Sequence, residues 1–232
     1  LDKKKRNIII IGRGNESAKK FQKKHKKEVV VGGLKNFLKT KPILPNYVIV
    51  AVDIENLASV AGELIDFGVK KILCEKPVAL NVTDLKKLEK KIALKKVKFF
   101  IAYNRRFYES IKITKKIIEK DGGLVSVIFE FNEMTKKIEK SKHSKQIKSK
   151  WVIANSSHLI DLVFFVTGSP KKISSFTLGK KSWHPTSSIF FGHGQSKNGV
   201  IITYSSNWDS PGRWGIEFMT KNYKIILKST PF

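Results

Sequence analysis

The first third of the chain alternates short, β-branched apolar runs with charged, helically patterned stretches. The apolar runs are NIIIIG at 7–12, EVVVGG at 28–33, YVIVAV at 47–52 and KKILCE at 70–75. Helical patterning separates them, at 16–27, 34–39 and 56–68. Strands this apolar are typical of a parallel sheet whose two faces are both covered by helices. The N-terminal part is therefore predicted to be a doubly wound α/β domain.

The pattern changes near residue 124. Up to that point a helix is predicted at 81–96, a fifth strand at 97–104 and a helix at 108–123. The runs that follow alternate in period two, which is typical of antiparallel strands, and one helix interrupts them at about 155–167. We therefore predict α/β followed by α+β, with domains at 1–103 and 104–232. The lysine-rich segment 136–150 is interpreted as a mobile loop.

The net charge of +27 raises the question of nucleic-acid binding. Of the 46 basic residues 41 are Lys and 5 are Arg, and the lysines are spread over the whole chain in pairs. Readers of nucleic acid favour the Arg fork and concentrate their charge in a patch. The charge therefore fits lysine-rich solvated faces better than a nucleic-acid interface, and an anionic substrate or acidic partner stays open as an alternative.

The single cysteine, Cys74, excludes an internal disulfide and a cysteine-based metal cage, and no metal is predicted. No apolar run approaches the length that spans a bilayer, and the basic start LDKKKRN is followed only by a short apolar run. A cytoplasmic protein without a membrane segment is the expectation. Because the sequence begins at Leu1 and stops soon after a strand, it is compatible with a fragment of a longer protein.

The segment GRGNES at 12–17 lies between the first strand and the first helix. This is where the pyrophosphate of a dinucleotide meets the N–H groups of a helix. Gly12 and Gly14 provide two of the three glycines of the usual fingerprint, and Ser17 occupies the third position. A plain glycine turn without a ligand is the alternative interpretation.

The position that usually reads the cofactor ribose lies at the end of the second strand, about 20 residues after the glycines. Here the sequence is VVVGGLKN, which offers no carboxylate, and Lys35 is the nearest charged residue. A lysine suits a 2′-phosphate better than a bare hydroxyl. The cofactor prediction is NAD or NADP, and this residue favours NADP.

The stretch LCEKPVAL at 73–80 ends an apolar strand in a Glu-Lys pair followed by a proline. Proline stops the strand because it has no N–H to donate to the ladder. Lys76 is therefore predicted at a strand end, where open α/β sheets keep their ligands and chemistry.

Five motifs in order, GRGNES, VIVAV, LCEKPVAL, AYNRRF and SSHLIDLVFFVTG, resemble the Gfo/Idh/MocA family of oxidoreductases from about residue 7 to residue 170. The resemblance implies a Rossmann domain followed by a domain with a large open sheet, and a nicotinamide cofactor in the cleft. It also implies hydride transfer at a hydroxyl-bearing carbon of a sugar, cyclitol or nucleotide-sugar. The span from GRG to EKP is short for the family, as though one strand and helix were missing.

In the resembled family the lysine of EKP, here Lys76, reaches the substrate hydroxyl. The glutamate, Glu75, lies close to the cofactor, and the proline, Pro77, shapes the strand end, often with a cis bond. Partial burial would lower the pKa of such a lysine and let it relay the hydroxyl proton. Lys76 is therefore the first candidate catalytic residue.

The second catalytic candidate is His158. Family members carry a histidine at the start of a helix, with an aspartate four residues earlier and another three residues later. Asp161 matches the later position, but Ala154 occupies the earlier one, with Asn155 beside it. Either Lys76 and His158 suffice, with Asn155 or Ser157 orienting the imidazole, or the protein binds substrate and turns over poorly.

The remaining site predictions follow from the same motifs. Cofactor contacts are predicted at Gly12, Arg13, Gly14, Asn15, Asp53, Glu75 and Pro77, and substrate contacts at Asn104, Arg106, Asn155 and Asp161. A homo-oligomer is expected through the open sheet of the second domain, because an exposed apolar sheet face needs cover. A relative without catalytic activity that binds a nucleotide or sugar is the alternative function.

Overall fold

The computed structural model describes residues 7–228. Its N-terminal part holds two parallel sheets with helices between the strands. The strands are β1 (Ile11–Gly12) and β2 (Val30–Val31) in one sheet, and β3 (Val48–Val50), β4 (Lys71–Cys74) and β5 (Lys98–Ile101) in the other. The helices are α1 (Asn15–His25), α2 (Gly33–Lys39), α3 (Leu57–Phe67), α4 (Val82–Leu94) and α5 (Glu109–Lys120). The parallel α/β character predicted from the alternation is confirmed.

The first two strands are shorter and more exposed than their apolar sequence predicts. β1 and β2 pair over two residues only, Ile11 with Val30 and Gly12 with Val31. Val30 and Val31 are 41% and 38% exposed. A ladder of two residues makes few hydrogen bonds, so the apolar runs overstate the length of these strands.

The core of the N-terminal part forms between α3, α4 and the three-stranded sheet. Leu57, Ala61 and Ile65 recur every four residues on α3, so they share one face, and all three are buried. Ile72 of β4 packs into the same cluster. The helix ends at Gly68, whose φ of +111° is a left-handed conformation that glycine adopts without steric cost. This core fixes the position of β4, which leads into Lys76.

The C-terminal part is built on a mixed six-stranded sheet in the order β11-β10-β6-β9-β8-β7. The strands are β6 (Ser126–Phe131), β7 (Pro170–Leu178), β8 (Ile189–Ser196), β9 (Ile201–Asn207), β10 (Trp214–Met219) and β11 (Lys224–Lys228). All neighbours are antiparallel except β6 and β9, which are parallel. The predicted sheet domain is confirmed in its architecture, and the domain boundary at residue 103 stays a prediction.

The interior of this part lies between one face of the sheet and two helices, one of which is α5 through Ile111. The helices that follow β6 in the chain are α6 (Thr135–Glu139), α7 (Lys145–Lys148) and α8 (Ser157–Thr167). Leu162 and Val163 of α8 are buried in one cluster with Phe129 of β6 and Ile202 of β9. Residues alternate between the two faces of a strand, so the opposite face carries exposed apolar side chains such as Phe176 and Phe191.

The interpretation of 136–150 as a mobile loop is wrong. The segment contributes to the short helices α6 and α7, and the Ser144 hydroxyl caps α7 by accepting the Ile147 N–H at 3.2 Å. Ile138 and Ile147 are 5% and 6% exposed and pack with Trp151. The abundance of lysine hid two apolar anchors that fix this segment against the rest of the protein. Within residues 7–228 no helix combines the length and apolar character that crossing a bilayer demands.

Candidate functional site

The carboxyl ends of three parallel strands meet at one edge of the N-terminal sheet. Val50, Cys74 and the Ile101 end of β5 are in register, and the Glu75 N–H continues the ladder to the Val50 carbonyl at 2.9 Å. The chain leaves these strands toward Asp53, Lys76 and Asn104 in turn. Ligands of open α/β sheets bind at this edge, so the strand order brings three predicted site segments side by side.

The glycine turn after β1 fits a bound phosphate group. A Cβ on Gly12 would lie 3.1 Å from Val29 Cγ1, so the close approach of strand and turn favours glycine. A Cβ on Gly14 would meet only the Ser17 hydroxyl at 4.0 Å, so the space before α1 is open. Gly14 is the N-cap of α1 and Asn15 its first residue. The helix therefore presents its first N–H groups to an anion without a capping side chain.

Arg13 connects this turn with the ends of β2 and β3. Its guanidinium donates to the Asp53 carboxylate at 2.7 Å, and both side chains are about two thirds exposed. A Cβ on Gly33 would lie 3.2 Å from Arg13 Cγ, so Arg13 also lies against the start of α2. Lys35, on α2, has its ammonium 3.7 Å from Glu63 and is 80% exposed. Cationic groups thus lie near the end of β2, where dinucleotide-binding proteins usually carry the acidic residue that binds the ribose hydroxyls.

The turn after β4 has an unusual backbone. The Lys76–Pro77 peptide bond is cis. Val78 follows with a φ of +62° and is 1% exposed. A β-branched residue rarely adopts this conformation, and such outliers persist where the surrounding structure holds them. Pro77 is buried in this turn, while Glu75 is exposed and accepts the Lys76 N–H at 3.3 Å.

Lys76 reaches from the N-terminal sheet to the C-terminal part. Its ammonium donates to the backbone carbonyl of Ala154 at 2.6 Å. Ala154 lies in a single π-helical turn, Val152–Ser156, that runs directly into α8. Burial lowers the pKa of Lys76, as does Arg105, while Glu75 and Glu133 act in the opposite direction. Its amine is thus more readily deprotonated than that of an exposed lysine.

His158 lies near Lys76, at the first turn of α8. Its pKa falls to about 4, chiefly because it is buried and also because the Lys76 and Arg105 cations are close. The Tyr103 ring meets the imidazole edge to face, with centroids 6.0 Å apart. No residue in the described range hydrogen-bonds His158 Nδ1, which is buried. The imidazole is therefore neutral at physiological pH.

The two predicted substrate contacts Arg106 and Asp161 bind each other. The Arg106 Nε donates to Asp161 Oδ2 at 2.7 Å, and a second guanidinium nitrogen donates to Asp161 Oδ1. This bidentate pair joins the 3₁₀ turn Asn104–Phe107 to α8 and fixes the angle of the helix that carries His158. Asn104 is exposed at the first position of the same turn.

Glu133 is a buried carboxylate that the sequence analysis did not single out. It follows β6, is 6% exposed, and accepts hydrogen bonds from Asn155 and Ser156. Asn155 is thus held toward Glu133, and the Ser157 hydroxyl donates to the Ile153 carbonyl at 2.7 Å, so these bonds do not orient His158 through Nδ1. The sequence offered one signal: NEM breaks the period-two alternation of β6 with a charge just beyond the strand.

The predicted residues thus fall into two groups. Gly12, Arg13, Gly14, Asn15 and Asp53 lie around the exposed turn after β1. Lys76, Asn155, His158 and Asp161 lie around the start of α8, with Arg106 beside them. The first group offers helix N–H groups and cations to an anion, and the second offers an amine and a neutral imidazole that can exchange protons with a bound hydroxyl.

Comparisons with known proteins bear on the family and the fold of this chain. Residues 2–103 match the model described as GFO_IDH_MocA, oxidoreductase family, NAD-binding Rossmann fold. A search of curated proteins finds no significant match. A protein from Desulfitobacterium hafniense, assigned as an NADPH-dependent oxidoreductase, has a TM-score of 0.77 at 17% identity and covers 95% of this chain. This chain spans 65% of the length of that structure.

Two further solved structures share the fold. The WlbA dehydrogenase from Bordetella pertussis, in complex with NADH and UDP-GlcNAcA, has a TM-score of 0.75 at 14% identity, covering 94% of this chain and 68% of its own. The myo-inositol 2-dehydrogenase from Lactobacillus plantarum has a TM-score of 0.74 at 16% identity, covering 97% and 69%. The whole chain therefore has the two-part architecture of these dehydrogenases.

Proposed function

We propose that this chain, whose residues 2–103 belong to the Gfo/Idh/MocA family of oxidoreductases, transfers a hydride between NAD(P) and a hydroxyl-bearing carbon. The substrate class is a sugar, cyclitol or nucleotide-sugar, in line with the dehydrogenases that share the fold. One observation carries the proposal. The Lys76 ammonium donates to the Ala154 carbonyl, four residues before His158 in the turn that leads into α8, so the amine and the imidazole lie in the same region. Burial lowers the pKa of both groups.

The residues around the first turn fit a dinucleotide. Gly12 and Gly14 leave room for a pyrophosphate over the N-terminus of α1, where Asn15 lies. Arg13 and Lys35 provide positive charge near the end of β2, which favours a 2′-phosphate and therefore NADP over NAD. Asp53 would keep Arg13 near the turn after β1 until a phosphate replaces it as partner, and Glu75 would lie toward the nicotinamide ribose.

A bound nicotinamide would supply the carbon that accepts or donates the hydride. The chain itself would bind the substrate hydroxyl between Lys76 and His158. In oxidation the neutral amine of Lys76 would accept the hydroxyl proton, and in reduction its ammonium would return one. His158, which is neutral, would make a second hydrogen bond to the same oxygen and keep it aligned. Asn104, exposed at the end of β5, would contact the rest of the substrate.

A binding protein with weak or no turnover is the second candidate. Position 154, where family members carry an aspartate, is a buried alanine, and His158 Nδ1 lacks a hydrogen-bond partner among residues 7–228. A neutral imidazole without an orienting carboxylate is a weaker base. This candidate predicts cofactor or sugar binding without hydride transfer.

Titration of nicotinamide fluorescence with NADPH and NADH separates these possibilities. We expect saturable binding of at least one, and tighter binding of NADPH. Gly14→Asp places a carboxylate at the N-terminus of α1 and should abolish that binding, while Asn198→Asp, which adds the same charge at an exposed position between β8 and β9, should not. If neither NADPH nor NADH binds, the oxidoreductase function is excluded. Binding without turnover on a panel of inositols, hexoses and UDP-sugars would favour the second candidate.

We further propose self-association through the outer face of the six-stranded sheet. Phe176 and Phe191 stack there with centroids 5.4 Å apart, and Leu178 is 57% exposed beside them. Apolar patches of this kind mark interaction surfaces. Sedimentation should give an oligomer that Phe176→Glu dissociates, and a monomeric wild type would exclude it. A cytoplasmic location stays a prediction from the sequence.

A further inference from the structure

The buried carboxylate of Glu133 is fully engaged in hydrogen bonds. The Ser156 hydroxyl donates to Oε1 at 2.8 Å, and the Asn155 amide donates to both oxygens at 3.0 and 3.2 Å. The Trp214 indole N–H donates to Oε1 at 3.3 Å. Four contacts on a residue that is 6% exposed hold it in one orientation.

These bonds reach Lys76 through the backbone. Asn155 and Ser156 are the two residues that follow Ala154 in the π-helical turn. The Ala154 carbonyl is the acceptor of the Lys76 ammonium at 2.6 Å. A π-helical turn departs from regular helix geometry and is often found at functional sites. The carboxylate therefore fixes the short segment on which the ammonium rests.

Glu133 is also a charge that faces Lys76. The charged groups around this ammonium are Glu75 from its own turn, Arg105 from the 3₁₀ turn, and Glu133 from the end of β6, with His158 from α8 nearby. Burial raises the pKa of Glu133, and the hydrogen bonds from its neighbours oppose that rise. Glu75 is exposed to solvent, which screens its effect, so Glu133 is the buried negative charge of this group.

We propose that Glu133 is a positioning residue for Lys76, holding the turn that carries Ala154 and supplying a buried negative charge near the ammonium from just beyond the end of β6. The inference deepens the proposed function and rests on it for its catalytic consequence. The coupling of the two side chains is independent of any cofactor. No proton transfer by Glu133 is involved.

The coupling can be measured in the cofactor-free full chain. Trace acetylation with acetic anhydride, quantified for the Lys76 peptide by mass spectrometry across neutral to alkaline pH, reports the neutral fraction of this amine. Glu133→Gln keeps the side-chain size and an acceptor oxygen but removes the charge. Glu130→Gln is the matched control, because it removes the same charge from the exposed face of β6 three residues earlier.

We expect the Lys76 curve to move to lower pH in Glu133→Gln, because loss of a nearby anion favours the neutral amine. The curve of Glu130→Gln should coincide with that of the wild type. Glu133→Asp, which keeps the charge, should remain closer to the wild type than Glu133→Gln. If Glu133→Gln and Glu130→Gln both superimpose on the wild type, the proposal is overturned.

A reciprocal measurement covers the case in which Glu133→Gln does not fold. In ¹³C-labelled protein, Lys76→Met should raise the pH at which the Glu133 carboxyl titrates, whereas Lys87→Met on the exposed face of α4 should not. An unchanged Glu133 titration in Lys76→Met would overturn the proposal. Titration with NADPH in the same preparations tests the proposed function separately. If NADPH does not bind, the oxidoreductase function is excluded, but the electrostatic coupling between Glu133 and Lys76 is unaffected.

Discussion

One ion pair and one buried group of charges, at opposite ends of the site, differ in their exposure to water. The Arg13–Asp53 pair spans the ends of β1 and β3 with its side chains 68% and 70% exposed. The Lys76–Glu133 arrangement spans the N-terminal sheet and the C-terminal part, and Glu133 is 6% exposed. Charges in water interact weakly and are screened by salt, whereas buried charges are costly and must be compensated.

The difference in exposure indicates that the two ends of the site have different roles, ligand binding at the exposed end and proton transfer at the buried end. An exposed pair can open and exchange partners, so Arg13 remains free to turn toward a phosphate. The buried charges around Lys76 and Glu133 hold a fixed geometry and shift each other's pKa. Proton transfer at a bound hydroxyl requires such a shift. Substitutions at the buried end should therefore change chemistry and stability, and those at the exposed end should change affinity modestly.

The largest effect is expected for Lys76→Met. Loss of a proton-transferring side chain typically lowers turnover by about 10²–10⁴-fold. We expect a loss in this range for hydride transfer, with NADPH affinity largely retained, in steady-state assays on the substrate that a sugar and inositol panel identifies. Lys87→Met is the control. Retention of full turnover by Lys76→Met would remove the catalytic distinction between the two ends.

The next effect concerns stability. Glu133→Ala removes the acceptor of the Asn155, Ser156 and Trp214 donors and should lower the free energy of unfolding by about 1–3 kcal/mol for each donor that stays buried and unsatisfied. Asp53→Ala breaks an exposed pair and should change it by about 0–1 kcal/mol. Urea unfolding monitored by tryptophan fluorescence measures both. Equal losses in the two variants would contradict the comparison.

A smaller effect is expected in the pH dependence of stability. The folded pKa of His158, about 4, lies below the unfolded value of 6.5, so the folded state binds fewer protons in this window. The contribution of His158 to the free energy of unfolding is fully present above pH 6.5 and is lost as the pH falls toward 4. His158→Gln should therefore lose less stability than the wild type as the pH falls across this window.

The difference between variant and wild type is the informative quantity. The raised pKa of Glu133 acts with the opposite sign, because the folded carboxyl binds its proton more readily and gains stability as the pH falls. The free energy of unfolding in urea at a series of pH values gives the comparison. Parallel curves for His158→Gln and the wild type would mean that the imidazole is not buried beside Lys76 and Arg105.

The smallest effect is expected for Arg13→Gln. Loss of one exposed cation should weaken NADPH binding by roughly threefold to tenfold and NADH binding less, and the difference should shrink at high salt. Nicotinamide fluorescence titrations at two ionic strengths measure it. An equal effect on the two nucleotides would place Arg13 at the pyrophosphate and not at the 2′-phosphate.

Local patterns in the sequence point to some segments of the candidate site and miss others. The turn after β1 and the strand end at Lys76 are each encoded within a few residues, and the ladder from β3 to β5 places the Cys74 end of β4 beside Val50 and Ile101. Glu133 could not be found in this way, because its partners Asn155 and Ser156 lie more than 20 residues away and meet it only through tertiary packing. Ala154 contributes through its backbone carbonyl, which residue identity does not reveal.

The misjudged loop at 136–150 has a related cause. Its lysines dominate the composition, but Ile138 and Ile147 determine where the segment lies. The apolar runs of β1 and β2 predicted strands correctly and their length poorly, because strand length depends on the neighbours available for pairing. Composition and periodicity thus identified the architecture, while pairing and burial set the details around the site.

The most direct test of the central claim is a crystal structure of the protein with bound NADPH. We expect the pyrophosphate over Gly12 and Gly14. The nicotinamide C4 should face Lys76 and His158 across a gap that one hydroxyl-bearing carbon fills, about 3–3.5 Å from each reacting atom. A nicotinamide bound away from these two side chains, or Lys76 and His158 pointing into separate spaces, would contradict it.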